Sequence, residues 1–185
     1  PVDLLEDFLK NDFSKMRSQP APDDVRLVNN GKIINLGNFE IQPFVVISGP
    51  VVLGNNVKIG PFTFLRGPLF LGDNVEIGPW CEIVRSIIFS KTRVTHVDYI
   101  ADSVIGNNCW IAGHVGTANV KINNSPIKIK YDGSIKEREK FGAIIESKSI
   151  IPSLNIILSG SVLEQDTQIT QPGMIFGRSR HKPFA

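Results

Sequence analysis

Two of the chain's three histidines stand 18 residues apart, His96 and His114, in the stretch THVDYIADSVIGNNCWIAGHVGTAN. An imidazole titrates nearest to neutral pH, so either could act as a general base. A stacked pair could also hold a zinc ion, but that chemistry usually takes three imidazoles. The third histidine, His181, lies far off in the tail and makes a poor ligand, so no metal site is expected. The two cysteines, Cys81 and Cys109, form neither a CxxC pair nor a disulfide framework, which fits a reducing, cytoplasmic setting.

These groups need elements to hold them, and the strongest organising signal is a period of six. An aliphatic or aromatic residue recurs at Ile41, Ile47, Leu53, Ile59, Leu65, Leu71, Ile77, Ile83 and Phe89. Gly follows directly at Gly54, Gly60, Gly72 and Gly78, and a small or apolar residue comes four positions on, at Val57, Thr63, Val75 and Cys81. The run resumes at Ile145 and continues through Ile151, Ile157, Leu163, Ile169 and Ile175, with Ile105 and Ile111 in a shifted phase between. Six matches neither a helix nor an alternating strand. It describes a prism whose faces are short strands and whose corners are tight turns, with three faces to a coil. Gly and Asn at Gly54-Asn55-Asn56 and Asn74 tolerate the corner geometry. The pattern breaks step in the stretch that holds His96, which predicts that the coil interrupts itself there to present His96 and Tyr99.

The fold class expected is therefore all-β, a single-stranded parallel β-helix with a short N-terminal helix and an inserted loop. Residues 1–17 carry Leu4, Leu5, Phe8, Leu9 and Phe13 at helical steps. Residues 18–39 read as a linker, 40–117 and 143–176 as coils, and 118–142 as a basic loop or arm leaving the prism. Residues 177–185 read as a basic, extended tail. A net charge of +2 gives no footprint for nucleic acid, and no apolar run is long enough to span a membrane. The chain opens on Pro1, so it reads as processed or as a fragment of a longer protein.

The hexads, HVDYIADSVIGNN, the GTAN segment, the basic loop and the restart EKFGAIIES together resemble one family. It is the acetyltransferase domain of the bifunctional N-acetylglucosamine-1-phosphate uridylyltransferase/glucosamine-1-phosphate N-acetyltransferase, with archaeal-type sugar-1-phosphate nucleotidylyltransferases that carry the same β-helix. The opening PVDLLEDFL is similar to the segment that leads into the prism in that family. The Gly-rich nucleotide loop of the family's other domain has no counterpart here, so nucleotide transfer by this chain alone is not expected.

The resemblance implies a left-handed prism, a homotrimer, acetyl-CoA as co-substrate and a sugar phosphate as acceptor. It places the general base at His96, a phosphate-binding arginine at Arg66, and sugar contacts at Tyr99 and Asn119. It puts Lys140 on the phosphate, Glu82 near the sugar, and Ser153 beside the acetyl group. A second phosphate-binding lysine falls on Val84, with Arg85 next door as a substitute whose side chain alternates to the other side of a strand. A sugar-contacting asparagine falls on Trp110, which leaves the sugar open. The residues by themselves also allow plainer roles: His96 and Arg66 as solvated corner residues, Asn119 as a turn, Tyr99 as an inward hexad position in step with Ile105 and Ile111. The functional alternative is a non-catalytic oligomerisation or regulatory β-helix of a sugar-1-phosphate nucleotidylyltransferase.

Overall fold

A computed structural model of the chain describes residues 1–179. The aliphatic period of six winds the backbone into a parallel β-solenoid of about eight coils. Its first face stacks Phe39–Ile41, Val57–Ile59, Glu76–Ile77, Arg93–Val94, Trp110–Ile111 and Ile150–Ile151. The second face stacks Phe64–Arg66, Glu82–Val84, Tyr99–Ala101, Gly116–Thr117, Asn155–Ile157 and Gly173–Ile175. The third carries Leu69–Leu71, Ile87–Ile88, Val104–Ile105, Ala143–Ile145, Ser161–Leu163 and Arg178–Ser179. The long strand Val46–Leu53 bends across the second and third faces, and Arg26–Asn35 pairs along it in parallel. Every coil donates to the one above, as in Thr95 N–H to Ile111 O at 3.0 Å and Tyr99 N–H to Val115 O at 3.0 Å. Main-chain polarity is thereby satisfied between coils rather than within one.

The first eight hexad positions, Ile41 to Ile83, are all buried in one continuous core, as are Ile145, Ile151, Ile157 and Leu163. Each such side chain contributes roughly 1.5–3 kcal/mol by leaving water. The ninth expected position is corrected: Ile88, not Phe89, points inward. Val94 and Ile100 follow at steps of six, so Tyr99 is exposed and Ile100 takes the inward slot. The step from Ile83 to Ile88 and that from Ile100 to Ile105 are each one residue short. Both short steps fall at the corner between the second and third faces, at Arg85-Ser86 and Asp102-Ser103. The break in phase therefore lies across the prism from His96, whose own corner is regular.

The ends and the insertion also differ from expectation. The helix is Val2–Leu9, shorter than 1–17. Phe13 is buried, but it packs from an irregular segment against Ile34 and Val52. The expected linker 18–39 contains the strand Arg26–Asn35, which the pairing with Val46–Leu53 makes the first coil. The insertion does not leave the prism. It forms an antiparallel hairpin, Ile127–Tyr131 with Ser134–Arg138, turned at Asp132-Gly133. The alternation Ile127-Lys128-Ile129-Lys130 puts two isoleucines on one side, and they bury against Val2, Leu5, Phe141 and Ile144. Lys136 pairs with Asp3, and Arg138 with Glu6, so the hairpin clamps the helix. Residues 177–179 still belong to the last coil, where Arg178–Ser179 pairs with Val162 and Leu163. The rest of the expected tail, with His181, lies outside the described residues. No described helix is long and apolar enough to cross a membrane.

Candidate functional site

The corner between the first and second faces carries His96. The residue above it in the next coil is Gly113, and Ser153 follows in the coil after that, because Leu154 N–H bonds Gly113 O and His114 N–H bonds His96 O. The imidazole leans into the space that Gly113 leaves free: a Cβ built on Gly113 would stand 2.5 Å from His96 Nε2 and 2.7 Å from its Cδ2. Below, Gly78 fills the same need for close approach, since its Cβ would fall 1.4 Å from Thr95 O. His96 is exposed and its ring meets His114 edge to face, centroids 6.3 Å apart. His114 is displaced by one position along the corner. Among the described residues no group of three or more His, Cys, Asp and Glu could hold a metal.

The strand that leaves this corner is Tyr99–Ala101, and the second face assembles most of the remaining candidates around it. Tyr99 is in register with Glu82 on one side and Gly116 on the other. Gly116 leaves a notch above Tyr99, closed by Ile156, whose Cδ1 would stand 3.2 Å from an added Cβ. Arg66 Nη1 donates to Glu82 Oε1 at 2.7 Å. At the far corner Arg85 donates through Nε and Nη2 to both oxygens of Asp102, each at 2.7 Å. Asn119 Nδ2 donates to Asp102 Oδ2 at 2.5 Å. The bidentate hydrogen bond to Asp102 and the charge of that carboxylate raise the Arg85 pKa above its ordinary value, against the opposing effect of partial burial. Partial burial, together with Glu82 and Asp102, raises that of the Tyr99 hydroxyl. Lys140 is exposed and sits beside Phe141, whose N–H bonds Asn119 O at 3.0 Å. The face thus carries Arg66, Glu82 and Tyr99, with Arg85 and Asn119 at its far corner, His96 at the near edge and Ser153 two coils above His96; Lys140 is next in sequence to Phe141 at the far corner. Trp110 is not among them; it stands on the first face between Arg93 and Ile150.

Two acids in this region escaped the sequence reading. Asp102 ties Arg85 to Asn119; the signal was its distance of one short coil, 17 residues, from each of them. Asp98 points inward between Cys81 and Val115 and is 2 % exposed. Its Oδ1 accepts from Val115 N–H at 2.7 Å, while Oδ2 is buried without a partner. Burial pushes its pKa up to about 7, against the pull of main-chain N–H groups of Val115, His96 and Thr95. The other two unpartnered buried side-chain atoms among the described residues lie at the same corner: Asn155 Oδ1 in the column of Asp98 and Val115, and Thr95 Oγ1 three positions before Asp98. Asp98 is therefore a polar strut beneath the turn that presents His96. Burial likewise pushes the neighbouring Cys81 thiol up to about 12, which leaves it inert.

The stacked hexads, the open corner histidine and the charged face define a hexapeptide-repeat β-helix of acetyltransferase-like design. The chain belongs to the GMPPB C-terminal domain family, whose pattern matches residues 47–139. Among curated proteins it is 42% identical over 65 residues to the bifunctional protein GlmU of Methanococcus maripaludis strain C5, a match covering 35% of this chain and 16% of that protein. The match thus spans about a sixth of that relative's length. It is 29% identical over 167 residues to the putative uncharacterized acetyltransferase YaiX of Escherichia coli K12, covering 89% of this chain and 73% of that one. Among solved structures, a hexapeptide transferase family protein from Anaplasma phagocytophilum is 14% identical, with a TM-score of 0.42, over 84% of this chain and 78% of that chain.

Proposed function

We propose that the chain transfers an acetyl group from acetyl-CoA to the amine of a hexosamine 1-phosphate, with glucosamine 1-phosphate as the acceptor. The observation that carries this reading is the seating of the His96 imidazole over Gly113 at the edge of the Arg66–Tyr99–Asn119 face. A neutral imidazole there takes a proton from the attacking amine as the N–C bond forms on the thioester carbonyl. The C–S bond then breaks, and the thiolate of CoA leaves and is protonated. Arg66, Arg85 and Lys140 hold the phosphate, Tyr99, Glu82 and Asn119 position the sugar, and Ser153 lies on the acetyl side. A prism face is flat, so the acceptor cleft is completed by a neighbouring subunit of a homotrimer.

One observation favours a second reading, a non-catalytic assembly domain of a sugar-1-phosphate nucleotidylyltransferase. Both guanidinium groups meant for phosphate already carry a carboxylate, Glu82 on Arg66 and Asp102 on Arg85. Thiol release from acetyl-CoA in the presence of glucosamine 1-phosphate separates the two. Turnover lost in His96→Ala supports the transferase; no turnover, or turnover indifferent to that substitution, sinks it.

A further inference from the structure

The corner between the first and second faces turns through Phe44, Phe62, Trp80, Val97, His114 and Leu154, all left-handed and apolar apart from His114. The residue after each points into the prism: Val45, Thr63, Cys81, Asp98, Val115 and Asn155, every one buried. Five of these six are uncharged near neutral pH, and Asp98 is an acid. Asp98 and Asp102 are the buried acids among the described residues, and Asp102 is answered by Arg85. Asp98 has no such counter-charge. Its Oδ1 accepts from Val115 N–H at 2.7 Å, and its Oδ2 is buried without a partner. A carboxylate oxygen left bare in an apolar interior is strongly disfavoured, so its presence requires a cause.

Two threonines in equivalent inward positions show what such a corner uses. Thr63 lies two coils below Asp98 in the same column. Its hydroxyl accepts from Cys81 N–H at 3.4 Å and donates to Gly78 O at 2.8 Å. Thr92, at the corner between the third and first faces, accepts from Cys109 N–H at 3.0 Å and donates to Gly106 O at 2.7 Å. Each side chain thus bonds an N–H of the coil above and the carbonyl three residues before it. Asp98 makes the first of these bonds through Oδ1. The carbonyl three residues before Val115 is that of Ala112. A carboxylate repels that oxygen, whereas a carboxylic acid has an O–H to donate to it.

We infer that Asp98 is held as a carboxylic acid whose O–H bonds Ala112 O, and that loss of this proton opens the corner and unseats His96. Ala112 adjoins Gly113, over which the His96 imidazole rests, and Asp98 follows His96 by two residues. The clip therefore joins the turn that carries the base to the turn that seats it. The surroundings of Asp98 leave the proton in place. Below it stands the Cys81 thiol, itself kept neutral by burial. Above it are Val115 and Asn155, whose Nδ2 donates to Pro152 O at 2.8 Å. Glu82 and Tyr99 lie on the outer side of the second face, with Glu82 on Arg66, and His96 and His114 are exposed outside the corner. Burial raises the Asp98 pKa to about 7, and the pull against it comes from main-chain N–H groups of Val115, His96 and Thr95. The folded form therefore keeps the proton in weakly acidic solution and sheds it as pH rises through 7. The proposed transfer needs His96 unprotonated, which lowers the rate at acidic pH, and Asp98 adds a fall on the alkaline side. That consequence rests on His96 being the base; the clip itself does not.

The experiment removes the titration and keeps the bonds. Asp98→Thr installs the side chain that already serves at Thr63 and Thr92. Asp98→Asn retains Oδ1 and replaces the acid O–H by an amide N–H that cannot ionise. The rate of thiol release from acetyl-CoA with glucosamine 1-phosphate is compared across pH, taking wild type over variant so that the His96 limb cancels. With Asp98 titrating at about 7, this ratio should fall about tenfold between about pH 6 and about pH 8. Hydrogen-exchange protection of the Val115 amide, in the same ratio, should fall by a like factor and needs no turnover. A wild type whose protection follows the variants across this range overturns the inference. So does an Asp98 carboxyl carbon that titrates by NMR in the ordinary carboxylate range, a measurement on the wild type that decides even where a variant does not fold. Protection that follows Asp98 beside a constant rate ratio overturns the link to His96. Protection that follows Asp98 while no protein releases thiol upholds the clip and overturns the proposed transfer reaction alone.

Discussion

Gly113→Ala tests whether the seat of His96 matters. The new methyl carbon would stand 2.5 Å from Nε2, 2.7 Å from Cδ2 and 3.1 Å from Cε1. Ordinary carbon contacts begin near 3.5 Å, so the imidazole must retreat by about 1 Å. The ring is exposed and free to do so, and Gly113 does not occupy the left-handed region, so the backbone accepts alanine. Replacing glycine at a compatible position restricts the unfolded chain and offsets part of the clash, which keeps the net change in stability within about 1 kcal/mol. Catalysis should suffer more. A displacement of about 1 Å in a reacting group costs on the order of 100-fold, or about 2.7 kcal/mol of barrier. The assay is thiol release from acetyl-CoA with glucosamine 1-phosphate, comparing kcat for Gly113→Ala, His96→Ala and wild type, with imidazole resonances recorded by NMR. The expected pattern is a moved His96 resonance, a kcat between the other two proteins and a nearly constant unfolding midpoint. If Gly113→Ala shifts the His96 resonance yet keeps kcat within twofold, while His96→Ala abolishes turnover, the position of the ring over Gly113 is irrelevant and the reasoning fails.

Two further substitutions probe the acids that hold the site. Asp98 has its folded pKa raised from 3.8 to about 7, so the stability it adds is fully present below about pH 4 and is lost as pH rises through 7. Unfolding midpoints of the wild type should fall relative to Asp98→Asn across that window; parallel curves for the two proteins would contradict the assignment. Asp102→Asn should leave Arg85 without its counter-charge and loosen Asn119, at a cost of about 2–3 kcal/mol in urea unfolding and with a higher KM for the sugar phosphate. A change in KM alone, with full stability, would show that the Arg85 pair does not brace the corner.

The core was legible because its residues obey a period that nothing else in a globular chain produces. Ile41 through Ile83 could be placed inward from spacing alone, as could Ile145 through Leu163. Phe89 was misplaced, and the inward alternative for Tyr99 fails, for one shared reason. A corner can close with one residue fewer, at Arg85-Ser86 and at Asp102-Ser103, and a fixed period of six cannot register that. The short corner at Asp102-Ser103 also explains why His114 is not directly above His96. The hairpin was hidden because its lysines suggest a solvated loop, whereas the alternating Ile127 and Ile129 are what bury it. The site residues came from resemblance, and the structure adds their coupling: Asp102 links Arg85 and Asn119, which no local motif connects. The apolar corner was in principle readable at Phe44, Phe62 and Trp80, each 18 residues from the next, once aromatic residues are counted in corner positions rather than core ones.

The clamp between the first helix and the hairpin bears on the order of assembly. Coil-to-coil contacts join residues 17 or 18 apart, or 40 across the inserted hairpin, so the solenoid can grow by short steps, each coil templating its neighbour. The contacts of Asp3 with Lys136 and Glu6 with Arg138 join residues 133 and 132 apart. Loop closure over that span is favourable only after the intervening coils have stacked and brought the ends together. The helix therefore docks only after the coils that lie between it and the hairpin have stacked, and its docking ties the two ends of that stack together.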